Sequence, residues 1–243
     1  MFFITHIHID HAGGTGTLAK HIPQAKIVVH ERGKSHMADP QRLWESSKHT
    51  LGGLAEQYGP IEPVPQEMMV VAEDGMKIDL GKETIIETLF TPGHAPHHLS
   101  FLEKKENRLF IGEAGGTWAR NTIRPSTPPP FNLEQALASL DRLIQLKPAT
   151  VCYGHFGYAG EALPKLQSHR EQLILWGRVI AAGLLKKASI DAICEEISDK
   201  DEMLSPLKGL SQDQQQREHN FIANSVRGFV DCFKRYGVPP AVL

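Results

Sequence analysis

The chain has 243 residues, 41% hydrophobic and 22% charged, with 26 Lys and Arg against 28 Asp and Glu, enough to bury a substantial core in one large domain or a domain with an appendage. There is no basic excess to recruit nucleic acid or an anionic membrane, no run of roughly 18 apolar residues to span a bilayer, and no charged start of a signal peptide. This predicts a cytoplasmic protein with a small-molecule partner; three cysteines far apart exclude a disulfide framework, and the 13 histidines are the outlying count.

Residues 2–5 read as a short buried strand running into His6-Ile-His-Ile-Asp-His11, after which the glycines from Gly13 to Gly16 turn the chain into a helix over Thr15–His21. Residues 26–30 read as a second strand, followed by a polar, weakly helical excursion over 31–58. From Asp74 the turns Asp74-Gly75 and Glu106-Asn107 divide a meander with strands at 76–78, 83–90, 99–103 and 108–111. A proline-rich loop covers 123–130. Asn132 with Gln135 then resembles a capping box for a helix to about Leu146, and 150–153 is a further strand ending in Gly154-His155. Beyond Gly160 the strand signals stop, and helices are predicted at 163–187, 190–197 and 211–236. The expected division is therefore a catalytic region, 1–160, and a helical region, 161–243. The helical stripe Phe221, Ile222, Val226, Phe229, Val230 and Phe233 either packs on the first region or pairs two copies in a homodimer.

Residues i and i+2 of an extended segment point the same way, so His6 and His8 can present two imidazoles to one point. Asp10 and His11, where the chain bends, can aim at a second. Imidazole and carboxylate bind zinc at about 2.0–2.2 Å, and two ions sharing a bridging oxygen lie about 3.5–4 Å apart. Further candidates stand at strand ends: His94 after Thr91-Pro-Gly, Glu113 after Phe110-Ile-Gly, and His155 after Cys152-Tyr-Gly. Each follows a glycine, which lets the backbone turn the ligand inward.

Over residues 1 to about 160, H-x-H-x-D-H-A-G-G, T-P-G-H, F-I-G-E and G-H in this order resemble the metallo-β-lactamase superfamily. The resemblance implies an α+β fold, a four-layer αβ/βα sandwich with its site at one edge of the sheets, here followed by C-terminal helices. It implies two divalent metal ions, zinc first, with iron or manganese suited to the same ligands. It assigns His6, His8 and His94 to one metal, Asp10, His11 and His155 to the other, and Glu113 to the bridging position. The usual bridge is Asp, so the extra methylene of Glu113 bears on how well the second metal is held. The implied activity is hydrolysis of a small ester, thioester or lactone by a metal-bound hydroxide, with Asp10 also able to take a proton. An iron-dependent oxygenase or other redox enzyme on the same scaffold is the alternative, and a catalytically weak metal-containing binding protein a third reading. Substrate contacts are expected from Trp118, Arg120, Arg124, Phe156, Tyr158, His97 and His98, whereas His21, His30, His36, His49, His169 and His219 read as surface or structural. Superfamily members carry several strands before H-x-H-x-D-H, and here five residues precede His6. The first sheet is therefore expected to be incomplete, with residues 2–5 near its interior.

Overall fold

The computed structural model describes residues 1–119 and 122–243. Strands β1 (Phe2–Phe3), β2 (Ile27–His30) and β3 (Met69–Ala72) form a parallel sheet in that order. Parallel strands need crossovers, and helices α1 (Ile9–Ala12), α2 (Thr15–His21), α3 (Glu31–Ala38), α4 (Gln41–Leu51) and α5 (Gly53–Tyr58) supply them. β2 is apolar on both faces because both are covered. Ile27 and Val29 pack with Ile7, Ala19 and Met37, while Val28 packs with Ile86, Leu99 and Phe101 of the second sheet. β1 lies at the edge of this sheet and not in its interior, with Phe3 stacked edge-on to Phe101 at 5.2 Å.

The second sheet is built from β4 (Lys77–Asp79), β5 (Ile85–Phe90), β6 (Leu99–Glu103), β7 (Arg108–Gly112), a short hairpin of β8 (Thr117–Ala119) and β9 (Thr122–Arg124) standing apart, then β10 (Thr150–Tyr153) and β11 (Tyr158–Gly160). Its order is β11-β10-β7-β6-β5-β4, antiparallel except where β10 runs parallel to β7. The hairpin and helix α6 (Leu133–Gln145) lie between those two strands in the chain, and the Asn132 side chain caps α6 by accepting from the Gln135 N–H at 2.9 Å.

Helices α6, α7 (Ala162–Leu185), α8 (Ile190–Lys200) and α9 (Gln212–Tyr236) cover the outer face of the second sheet. Leu109, Ile111 and Val151 share one core with Leu140, Trp176 and Phe229. The layers thus run helices, sheet, sheet, helices, the expected α+β sandwich. The stripe on α9 is spent within the chain: Ile222, Val226, Phe229 and Phe233 are buried in this core, and Phe221 stands out at 51% exposure.

Candidate metal centre

Residues 6–9 alternate as an extended segment should, with Ile7 and Ile9 buried in the core and His6 and His8 turned the other way. His8 is the N-cap of α1, so Asp10 and His11 sit in that helix's single turn, displaced from the first pair. His94 arrives from the loop between β5 and β6, Glu113 from the end of β7, and His155 from the turn after β10. Gly93 has φ 143 and an added Cβ would lie 2.5 Å from the Ala136 backbone; Gly112 has φ 58 and a Cβ there would meet the His98 ring at 2.5 Å. A side chain is excluded at both positions, which is why glycine precedes the two candidate ligands.

Two groups of donors result: His6, His8, His94 and Glu113, and Asp10, His11 and His155, each with ligand atoms within 4.8 Å of one another. In the first, His94 Nε2 is 3.0 Å from His8 Nδ1 and 3.0 Å from Glu113 Oε2, and His6 Nε2 is 3.4 Å from the same oxygen. In the second, His155 Nε2 is 3.1 Å from His11 Nε2, with Asp10 Oδ2 at 3.5 Å from His11 and 3.6 Å from His155. Four donors around zinc at 2.0–2.1 Å stand about 3.3 Å apart, so both groups fit a divalent cation. Glu113 joins them, its Oε2 also 3.4 Å from His11 Nε2 and its Oε1 3.8 Å from His155 Nε2.

The fit has an independent sign. His6 Nε2 is buried and has no hydrogen-bond partner among the described residues, a cost that a bound cation removes. The rings are also aimed from behind. His94 Nδ1–H donates to the Ser126 carbonyl at 2.7 Å and His6 Nδ1 faces the Thr5 hydroxyl at 3.1 Å, which turns both Nε2 lone pairs inward. Burial holds His6 and His8 well below the ordinary imidazole value, so both are neutral donors. Burial opposes charge on His94 too, but the Glu113 carboxylate beside it and the Ser126 carbonyl raise its pKa. Burial would push Glu113 up; the imidazoles of His94, His11 and His6 hold it well below the carboxylate range instead.

The expected substrate contacts fare differently. Tyr158 and Phe156 are 74% and 78% exposed beside His155. Trp118 is half-buried, stacked on Tyr153 at 5.5 Å with Lys165 over its ring. The Arg124 guanidinium is taken by Glu218 of α9 and lies over Phe221 at 4.5 Å, so its charge is already matched. Arg120 lies outside the described residues. His98 is fully buried with both ring nitrogens hydrogen-bonded, and so offers nothing to a substrate.

His169, read from sequence as surface or structural, is neither exposed nor remote. It closes a cavity with room for about one water behind His94 and Glu113, together with Thr91, Phe131 and Leu173. Gln172 Nε2 donates to the Ile123 carbonyl at 2.9 Å and Asp201 Oδ2 at 2.7 Å, so its Oε1 accepts from His169 Nδ1–H at 3.3 Å. Trp176 Nε1 donates to the same Asp201 oxygen at 2.7 Å. Burial pushes His169 down to about 4, leaving it neutral.

The family model described as the metallo-beta-lactamase superfamily matches residues 3–155. The metallo-beta-lactamase fold-containing protein ST1585 of Sulfurisphaera tokodaii is 31% identical over 175 residues, 70% of this chain and 65% of its own length. The uncharacterized protein YobT of Bacillus subtilis is 30% identical over 164 residues, 63% of this chain and 65% of its own length. The matches thus span just under two thirds of these relatives. The crystal structure of ST1585 has a TM-score of 0.72 at 26% identity, covering 94% of this chain and 79% of that one. A hydroxyacylglutathione hydrolase of Legionella pneumophila is 26% identical over 110 residues, 45% of this chain and 31% of its own.

Proposed function

Since the chain belongs to the metallo-beta-lactamase superfamily, we propose that it is a dinuclear metal-dependent hydrolase of a small ester, thioester or lactone. One observation carries this reading: the Glu113 carboxylate stands between two separate donor groups, within 3.4 Å of His6, His94 and His11. His6, His8 and His94 would hold one ion, Asp10, His11 and His155 the other, with Glu113 shared. Two divalent cations so placed supply an acidified water, with a pKa near 7 in single-zinc precedents, and polarisation of a carbonyl.

The protein's own groups do the rest. His6, His94 and Glu113 of the first donor group are buried and His8 half-buried, whereas Asp10 and His155 side chains are 35% and 30% exposed, so substrate approaches and the leaving group departs on the Asp10–His155 side. Asp10, at that mouth, would be placed to take up a proton as well as to hold the ion. Neutral His6 and His8 need no deprotonation before binding. The limited similarity to a hydroxyacylglutathione hydrolase supports hydrolysis over redox chemistry.

The test is metal analysis of the purified chain followed by thioester, lactone and phosphodiester panels. The expected result is about two metals per chain and chelator-sensitive hydrolysis of the acyl substrates, with Glu113→Ala losing roughly one metal equivalent and Glu113→Asp keeping both. Two tightly held metals in Glu113→Ala, or acyl hydrolysis indifferent to chelation, would overturn it.

A further inference from the structure

Glu113 has one more methylene than aspartate, and a longer carboxylate needs a firmer root if it is to stand between two donor groups. We infer that His98 is a positioning residue, held in a single tautomer by an ordered hydrogen-bond chain, that fixes Glu113 and through it the retention of the second metal. The inference rests on the reading of Glu113 as the shared ligand.

His98 Nε2 lies 3.1 Å from the Glu113 backbone nitrogen, whose N–H donates to it. That nitrogen must carry a lone pair, so the ring proton is on Nδ1. Nδ1–H donates to Thr91 Oγ1 at 2.9 Å, the Thr91 hydroxyl donates to Ser100 Oγ at 2.9 Å, and the Ser100 hydroxyl donates to the Ile111 carbonyl at 3.3 Å. The chain starts at the amide of Glu113, just past the end of β7, and ends on the Ile111 carbonyl two residues earlier, with every donor and acceptor assigned. Reversing the tautomer would set two N–H groups against each other where Thr91, His98 and Ser100 are all 0% exposed.

The packing agrees. The His98 ring occupies the space that a side chain on Gly112 would need, and it stacks on the ring of His6 at 5.1 Å. One imidazole thus braces two candidate ligands while keeping both of its own nitrogens away from the metal position. This separates it from a ligand: its loss should displace Glu113 without deleting a donor atom. Groups in this relation to a metal typically change affinity by about 10- to 100-fold.

The experiment compares His98→Leu, His98→Gln and Thr91→Val with Glu113→Ala in the full chain, reading metals per chain after graded chelation and the ring-nitrogen NMR signals of the metal-free protein. Gln can place an acceptor near the position of Nε2, so it should rescue, whereas Leu cannot. Expected are roughly 10- to 100-fold weaker retention of one metal in His98→Leu, a smaller loss of the same metal in Thr91→Val, and near-native retention in His98→Gln. One ring should show the Nδ1–H tautomer in the native spectrum and vanish in both His98 variants. If His98→Leu does not fold, as judged by circular dichroism, Thr91→Val and the ring spectrum decide. Two firmly held metals in Glu113→Ala would sink the shared-ligand reading itself. Loss of one metal in Glu113→Ala, but native retention in Thr91→Val and in a folded His98→Leu, or an Nε2–H tautomer at His98, would overturn the role of His98 alone.

Discussion

His6, His8, His94 and Glu113 come from three separate parts of the chain and meet in the interior, whereas Asp10, His11 and His155 meet at the surface, where Asp10 and His155 side chains are 35% and 30% exposed. In the first group, Thr5, Ser126 and His98 stand behind individual ligands. In the second, His155 sits on a turn with the exposed Phe156, ahead of the exposed Tyr158 that opens β11. On the proposed reading, the difference separates two tasks. A preformed, desolvated donor set retains an ion, and a partly solvated set leaves it reachable by substrate.

The largest effect expected from this contrast is in ligand removal. His94→Ala should lose the buried ion and cut acyl hydrolysis by about 100- to 1000-fold, the scale of losing a principal electrostatic group, whereas His155→Ala should keep one metal per chain by elemental analysis. Equal losses would erase the contrast. Next, a competing chelator should take the two ions in separate phases, the one held by Asp10, His11 and His155 leaving roughly 10-fold or more faster; a single phase on absorbance of the cobalt-loaded chain would mean the groups act as one.

The third effect is pH dependence of the metal-free chain. Buried His169 and half-buried His97 are both pushed down to about 4 by desolvation, below the unfolded value, so the unfolded state binds more protons in between. Stability is fully present above about 6.5 and falls as pH drops toward 4. The His169 contribution is on the order of 3 kcal/mol, and denaturant midpoints measured across that window should show a shallower slope in His169→Gln. The smallest effect is at the mouth: Tyr158→Ala and Phe156→Ala should change stability by less than about 0.5 kcal/mol, any kinetic change falling on KM and not on metal content.

Most of the donor set was legible because each ligand sits where an apolar strand ends, a pattern carried by the neighbouring residues themselves. The Asn132 cap and the three long C-terminal helices were legible for the same local reason. β3, β8, β9 and β11 were not, because segments of three or four residues carry little periodic signal of their own. His98 read as a substrate contact, and His169 no more precisely than surface or structural, because a neutral histidine is defined by what holds each nitrogen, and those partners lie up to 15 residues away for His98 and, through Gln172, on two other segments for His169. Arg124 read as an anion-binding candidate because Glu218 is 94 positions distant.

The chain from His169 through Gln172 to Asp201 means that a wall of the cavity behind His94 and Glu113 is carried by α7 and set by the residue that follows α8. Recombination between relatives that kept the ligand-bearing strands but exchanged everything after residue 160 would therefore transplant part of the centre's lining along with the helices. Chimeras of that kind would inherit their metal donors from one parent and the shape of the space behind them from the other, so divergence in the helical half can retune the centre while every ligand stays in place.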